Sequence, residues 1–245
     1  MFGALGDIHG DFAAARRIIA RHPDVPFWLC VGDIADAHGR YESLGAPVYW
    51  IHGNNDNFDA IASGDLPPDL HHIDNGTLVS PKGLTRTMGQ GPDRLVRNVG
   101  QGFSRDIRIA GLGGTFAPTW YETAASELPH PKKGSAKATE LADKRRHFVR
   151  EHVDACKDLR DVDVFLTHEA PKPFRPFPGG RGPDAGKPQI NEILAVMQPR
   201  LHLFGHHHRY SDQIYEGVRS IGLDLVGTSY LLVDVASFEV EPKSL

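Results

Sequence analysis

Short, mainly apolar segments that end in polar turns are the feature of this 245-residue sequence that most constrains its fold. Short apolar runs without alternation are typical of strands buried on both faces of a parallel sheet. Residues 12–20 have the periodicity of a helix and end before Pro23, so the chain begins with a strand, a loop and a helix. The predicted strands span residues 1–5, 27–31, 47–51, 108–112, 162–166 and 201–204.

Three other regions depart from this pattern. Residues 213–241 alternate apolar and polar positions between glycines, which predicts closing hairpins or a second sheet. The stretch from Lys132 to Arg160 has nine Lys or Arg against five Asp or Glu, and it looks like a basic helix after a Pro-Lys-Lys-Gly loop. Residues 172–188 are rich in Pro and Gly and predict a loop beside the functional site. Since none of these regions resembles a linker, we expect a single domain over residues 1–245, with excursions at about 115–160 and 172–188.

Composition excludes several classes of protein. The net charge of −4 is unlike that of a dedicated nucleic-acid binder, so such binding would need a local basic patch. Cys30 and Cys156 are the only cysteines, which rules out a disulfide framework and an all-cysteine zinc site. No apolar stretch approaches the ~20 residues of a membrane span, and no secretory leader is evident. We therefore expect a cytoplasmic protein that does not interact with membranes.

Five polar clusters follow predicted strands, and they contain residues that bind metals. Parallel strands end at one edge of a sheet, so these clusters are predicted to meet in one site. Each cluster alone is weak evidence, because a single Asp-x-His or His triplet often lies in a solvated loop. Together they predict a metal centre. In chain order they are Asp7-Ile8-His9, Gly32-Asp33-Ile34-Ala35-Asp36, Gly53-Asn54-Asn55-Asp56, His168 and Gly205-His206-His207-His208.

These clusters resemble the calcineurin-like metallophosphoesterases. That family's pattern runs Asp-x-His, Gly-Asp-x-x-Asp, Gly-Asn-His-Asp/Glu, His and Gly-His-x-His, and the likeness covers residues 6–208. The resemblance implies an α/β fold, a four-layer αββα sandwich in which two mixed β-sheets pack face to face between helices. It also implies a hydrolase of phosphate esters, acting on a small molecule or a nucleotide.

The resemblance further implies two divalent metal ions and their ligands. Such a pair lowers the pKa of a bridging water, so that a metal-bridging hydroxide attacks the phosphorus. The mixed oxygen and imidazole ligands favour Mn, with Fe or Zn as alternatives, over Mg or Ca. By the resemblance, Asp33 bridges both ions, the first ion binds Asp7, His9 and His208, and the second binds Asn54, His168 and His206.

Asn55 is where the sequence departs from the family pattern. The family usually has a histidine there that protonates the leaving group, whereas an amide can donate a hydrogen bond but no proton at neutral pH. His38 or His207 could replace that histidine, although each is more simply a loop residue. Asp36 and Asp56 are expected to orient metal ligands. Because some relatives without this histidine are phosphodiesterases, we favour a diester substrate.

A fainter resemblance links residues 107–171 to the lariat RNA debranching branch of the superfamily. It depends on Ile109–Phe116, on Arg146-His147 and on Val164–Pro171, and an ordinary core strand and a solvated basic face explain the same residues. Two alternatives therefore accompany the phosphodiesterase. One is an RNA-processing enzyme that binds nucleic acid through residues 132–160, and the other is an interaction scaffold that has lost catalysis. The sequence makes no prediction of oligomeric state.

Overall fold

Two six-stranded mixed sheets form the centre of the molecule. The computed structural model describes residues 1–81, 85–88, 103–130, 142–177 and 182–245. In the first sheet β1 to β4 are parallel, and β15 and β16 add an antiparallel edge next to β1. Its strands are β1 (Phe2–Leu5), β2 (Trp28–Cys30), β3 (Val48–Trp50), β4 (Leu70–His72), β15 (Ser229–Val233) and β16 (Val240–Ser244).

The second sheet has the order β13-β14-β12-β11-β8-β5. Its four central strands are parallel, and the edge strands β13 and β5 are antiparallel to their neighbours. The strands are β5 (Leu78–Val79), β8 (Ile109–Leu112), β11 (Val164–Thr167), β12 (Leu201–Phe204), β13 (Ser211–Tyr215) and β14 (Val218–Gly222). Two small pairs lie outside the sheets, β6 (Thr85–Met88) with β7 (Phe103–Asp106), and β9 (Thr115–Phe116) with β10 (His147–Phe148).

Helices cover the outer faces of the sheets. The helices are α1 (Phe12–Arg21), α2 (Phe58–Ser63), α3 (Arg150–Asp158) and α4 (Pro188–Met197). Helix α1 begins where the Asp11 carboxylate accepts a hydrogen bond from the Ala14 amide at 3.0 Å, and it ends at His22 before a proline. None of the helices among the described residues is long and apolar enough to span a membrane.

Three apolar clusters account for the layers. The central cluster fills the space between the sheets, with side chains such as Leu29 from the first and Leu203 from the second. A second cluster joins the first sheet to α1 and includes Ile18. A third joins the second sheet to α3 and α4 and includes Ile193. Because both faces of each sheet are covered, the central strands are buried along their whole length, which explains their unbroken apolar runs. The predicted four-layer αββα fold is confirmed.

One prediction of local structure is corrected and another is confirmed. Residues 132–160 are not one basic helix, since Lys144–Arg146 form a 3₁₀ turn, His147–Phe148 pair with β9, and α3 begins only at Arg150. The pairing with β9 holds residues 147–148 in an extended conformation, which a helix cannot adopt. The closing hairpins predicted for residues 213–241 are confirmed, because β13 pairs with β14 and β15 pairs with β16 in antiparallel fashion. They form no separate sheet, since the first hairpin extends the second sheet and the other extends the first. Residues 131–141 and 178–181 lie outside the described residues.

The parallel strands position the polar clusters. Strands β1, β2 and β3 of the first sheet end just before Asp7, Asp33 and Asn54. Strands β11 and β12 of the second sheet end just before His168 and His206. The carboxyl ends of both sets therefore meet at one edge of the sandwich, as is usual for ligand sites in sheets with parallel strands.

Candidate metal centre

The first group of possible metal ligands consists of Asp7, His9 and His208. Asp7 is buried at the end of β1, and its Oδ2 atom lies 3.1 Å from His208 Nε2. The Nε2 atoms of His9 and His208 are 3.1 Å apart. One carboxylate and two imidazoles therefore converge on a small volume, although residues 7 and 208 are at opposite ends of the sequence.

The second group consists of Asp33, His168 and His206, and Asn54 lies beside it. Fully buried His168 has its Nδ1 atom 2.8 Å from the carbonyl oxygen of Val31. Because that oxygen can only accept a hydrogen bond, Nδ1 carries the proton and Nε2 presents a lone pair. The Oδ1 atom of Asn54 lies 3.2 Å from this Nε2 atom.

Asp33 lies between the two groups. Its Oδ2 atom is 3.6 Å from His9 Nε2 and also 3.6 Å from His168 Nε2. Burial alone would raise the pKa of Asp33, but His168 and hydrogen bonds from Asn55 outweigh it and hold the pKa below its usual value. The carboxylate is therefore ionised at neutral pH and equally close to an imidazole of each group.

Close backbone approach around these carboxylates depends on two glycines. A Cβ atom on Gly53 would lie 2.0 Å from Asp33 Oδ1, and one on Gly205 would lie 2.3 Å from Asp7 Oδ1. Either distance is far inside van der Waals contact, so only glycine is accommodated. Four of the possible ligands also have left-handed backbone: His9, Asp33, His206 and His208, with φ between 47° and 66°.

Asp56 organises the turns around the site. Its buried carboxylate accepts hydrogen bonds from the backbone amides of Asp33, Ile34 and Ala35, and from Gly53. The hydroxyl of Tyr41 donates a further one at 3.3 Å. Asp56 thus ties the turn after β2, which contains Asp33, to the turn after β3, which contains Asn54.

Asn55 contacts the carboxylate that lies between the two groups. Its side-chain Nδ2 atom donates a hydrogen bond to Asp33 Oδ2 at 2.8 Å, and its backbone amide donates to Oδ1 at 2.7 Å. Both oxygens of Asp33 therefore have a partner in this one residue.

The other predicted catalytic side chains are Asp36, His38 and His207. Asp36 holds its own loop by accepting hydrogen bonds from the amides of His38 and Arg40, and it forms an ion pair with the Arg40 side chain. The exposed His38 lines a groove that does not include Asn55. The His207 ring packs against Phe174 with centroids 4.8 Å apart. Burial lowers the pKa of His207 to about 4, so this side chain is neutral at pH 7.

Two residues near the centre were not predicted from the sequence. The carboxylate of buried Glu169 lies 4.0 Å from His206 Nε2 and 3.5 Å from Lys187 Nζ, and it accepts a hydrogen bond from the Phe116 amide. Buried His52 precedes Gly53 and contacts His72, with a nitrogen–nitrogen distance of 3.2 Å. The sequence could have indicated both residues, because each is a polar residue directly next to one of the polar clusters.

The donor set fits divalent transition metals. Two carboxylates, one amide oxygen and four imidazoles converge, and this mixture suits Mn, Fe or Zn better than ions that require oxygen alone. Each group also places its ligand atoms within 4.8 Å of one another, close enough for one ion to contact all three.

Comparisons with known proteins identify a family and a similar fold. The family model for the calcineurin-like phosphoesterases matches residues 1–210. The fold is similar to protein TT1561 of Thermus thermophilus, with a TM-score of 0.62 and 14% identity over 99% of this chain and 97% of that one. It is also similar to a dimetal phosphatase from Danio rerio, with a TM-score of 0.56 and 13% identity over 99% and 95% of the two chains.

No curated protein matches the sequence. The match of the family model extends from β1 to the end of the histidine triplet, and so it includes every predicted ligand. Family membership favours catalysis over the scaffold alternative. The chain belongs to the calcineurin-like phosphoesterase family and is a metal-dependent hydrolase of phosphate esters.

Proposed function

We propose that this protein is a phosphodiesterase with a dinuclear metal centre, in which the carboxylate of Asp33 is shared by both ions. The position of Asp33 Oδ2, 3.6 Å from an imidazole nitrogen of each group, is the observation that carries this proposal. One ion would be held by Asp7, His9, His208 and Asp33, and the other by Asn54, His168, His206 and Asp33. When bound, the ions supply Lewis-acid activation of water and compensate the charge of the phosphoryl oxygens.

The protein's own residues contribute orientation. The hydrogen bond from His168 to the Val31 carbonyl fixes the ring so that Nε2 faces Asp33. Asp56 fixes the turn that presents Asp33 to both groups. The amide of Asn55 can donate a hydrogen bond to a substrate oxygen but supplies no proton to a leaving group.

Two grooves support a diester substrate. One of about 480 Å³ is lined by His9, Asn55 and residues of the 35–39 turn. The other, of about 250 Å³, is lined by Asn54, Asn55 and side chains from residues 56–59 and 142–146. Asn55 belongs to both, so the grooves meet beside Asp33. A phosphodiester has two organic substituents, and two grooves that meet at the phosphoryl site can take one each.

The test compares a monoester with a diester that has the same leaving group. Protein loaded with Mn²⁺ is assayed on nitrophenyl phosphate and on bis(nitrophenyl) phosphate, and bound metal is measured by elemental analysis. We expect two ions per chain and a higher kcat/KM for the diester. One ion per chain would contradict the shared carboxylate, and a preference for the monoester would contradict the substrate class.

A further inference from the structure

The smaller groove contains two arginines in different environments. Residues 54–59 form part of its lining, together with Asp143, Arg145 and Arg146. Asn54 also contacts His168, so the groove opens directly beside the proposed metal ligands. Any group that binds in it is therefore next to the reacting phosphoryl group.

The Arg145 side chain is already paired with other residues of the protein. It lies 2.7 Å from Asp59 and donates a hydrogen bond to Asp143 at 3.0 Å, and its guanidinium group lies 5.8 Å from the centre of the Phe58 ring. The charges of these two carboxylates are thus compensated by Arg145 inside the groove. The remaining carboxylate of the lining, Asp56, is turned toward backbone amides.

Arg146 differs from its neighbours. The Lys144 ammonium group lies 5.9 Å from the centre of the Trp120 ring, outside the groove. The Arg146 side chain is half-buried, and no hydrogen bond or ion pair joins its guanidinium group to any residue that the structure describes. Its backbone is fixed, because its carbonyl oxygen accepts a hydrogen bond from the Thr115 hydroxyl at 3.4 Å. An anchored backbone with an unpaired guanidinium group is suited to binding an anion from outside the protein.

The size of the groove restricts what that anion can be. A volume of about 250 Å³ is below the ~300–1,000 Å³ of typical small-molecule pockets, so the groove suits a small polar group better than a whole nucleotide. Arginine pairs well with phosphate, whose oxygens match two parallel N–H donors. The other groove is lined by Ala35, Ala37 and Gly39 beside His9 and Asp36, and it contains no arginine or lysine among the described residues.

We propose that Arg146 binds a second phosphate group of the substrate, so that the preferred substrate is a phosphodiester with an additional phosphate on one of its two substituents. This inference rests on the proposed function and adds the substrate class. A small nucleotide with a terminal phosphate and a nucleic-acid strand with successive phosphates both have this chemistry.

Equilibrium binding tests the inference without turnover. Thymidine 5′-monophosphate and thymidine 3′,5′-bisphosphate are titrated by calorimetry into protein loaded with Mn²⁺. We expect the wild type to bind the bisphosphate about 10–100-fold more tightly, as for one charge-assisted hydrogen-bonded pair. Arg146→Gln should reduce this ratio to about one while it leaves monophosphate affinity unchanged, and Arg146→Lys should keep part of the ratio.

Arg150→Gln is the matched control, because it also removes one positive charge but acts on an exposed residue paired with Glu122. It should leave the ratio unchanged. An equal loss in both glutamine variants would mean that overall charge, not Arg146, causes the preference, and that would overturn the inference. A wild type that binds both ligands equally would overturn it too.

Turnover identifies the source of the second phosphate. The substrates are a thymidine dinucleotide, the same dinucleotide with a terminal phosphate, and a short oligothymidylate. A rise in kcat/KM on adding the terminal phosphate, lost in Arg146→Gln, supports the inference, and cleavage of the oligonucleotide would identify the strand as a substrate. If no phosphate ester is hydrolysed, the proposed function is wrong, and the binding ratio still reports on Arg146.

Discussion

At the scale of single residues, Asp33 is the carboxylate that contacts both groups of possible metal ligands. Its carboxylate lies equally close to His9 and His168, and it accepts both hydrogen bonds of Asn55. We predict that Asp33→Asn lowers bound metal and reduces turnover by more than the ~100-fold upper range typical of an outer hydrogen-bonding partner. Loss of the negative charge weakens binding of both ions together. Elemental analysis of the purified variant and steady-state kinetics measure the two effects.

Asp36→Asn is the control for this change. Asp36 is also an aspartate in the turn after β2, but it holds only its own loop through His38 and Arg40. Its replacement should leave metal content near that of the wild type and cause a small loss of rate. If Asp33→Asn kept both ions and normal turnover, Asp33 would not be shared between the ions.

Asn55 allows a second prediction at this scale. If the side chain cannot protonate a leaving group, turnover should fall steeply as the leaving-group pKa of the diester rises. Asn55→His should then flatten that dependence and raise turnover of esters with poor leaving groups, by up to the ~10²–10⁴-fold that general-acid catalysis provides. A graded series of diesters, assayed with both proteins, measures the slope.

The hydrogen bond from Asn55 to Asp33 is the competing explanation. If Asn55 acts mainly by orienting that carboxylate, the histidine variant loses the bond at 2.8 Å and becomes slower on every ester alike. Metal affinity should fall at the same time. A uniform loss of rate together with weaker metal binding would reject the account based on a missing acid.

At the scale of elements, the sequence predicted strands better than the segments between them. The central strands were predicted because burial on both faces leaves an unbroken apolar run, and their observed bounds differ from the predicted ones by at most two residues. The polar clusters were predicted to converge because parallel strands end together. Residues 144–148 were misjudged because the extended conformation of residues 147–148 depends on pairing with β9, a distant segment that no local pattern contains. Glu169 was missed for the same reason, since its partners Phe116 and Lys187 come from other segments.

A residue of strand β12 leads to a prediction about how the stability of the fold depends on pH. Its residue His202 is fully buried between Thr167 of β11 and Ser220 of β14, at 2.9 Å and 3.0 Å, and burial lowers its pKa to about 3. The folded state thus binds this proton less readily than the unfolded state, whose pKa is near 6.5. His202 therefore stabilises the fold fully above pH 6.5, and this contribution falls as pH drops toward 3, by about 1.4 kcal/mol for each unit.

Urea unfolding at pH 7 and pH 5 measures this effect. His202→Gln removes the titrating group, so its free energy of unfolding should fall by about 2 kcal/mol less than that of the wild type between the two pH values. The exposed His71 provides the control, and His71→Gln should behave like the wild type. Equal pH dependence in all three proteins would mean that His202 does not contribute in this range.

At the scale of the whole molecule, the proposed centre joins the two sheets. Asp7, Asp33 and Asn54 follow strands of the first sheet, whereas His168 and His206 follow strands of the second. We therefore predict that chelation abolishes turnover and lowers the melting temperature. With free Mn²⁺ at 100 times its Kd, binding to the folded state alone contributes about 2.7 kcal/mol of stability. Differential scanning calorimetry with and without chelator measures the shift.

The identity of the restoring ion tests the ligand set. After chelation Mn²⁺ should restore turnover better than Mg²⁺, because four of the proposed ligands are imidazoles and Mg²⁺ prefers oxygen. Calcium should restore neither activity nor the full melting temperature. Complete recovery with Mg²⁺ alone would count against the assignment of the histidines.

The left-handed backbone of four possible ligands lowers the stability of the fold while it places their side chains in the site. These residues are His9, Asp33, His206 and His208. A non-glycine residue in that conformation costs roughly 1–2 kcal/mol, and four such residues are a large fraction of a typical net stability of ~5–15 kcal/mol. Glycine would relieve this strain but would remove the ligand. A library of variants selected only for tolerance to heat, without metal, should therefore accumulate glycine at these four positions. The selected variants would have a higher melting temperature and no phosphoesterase activity.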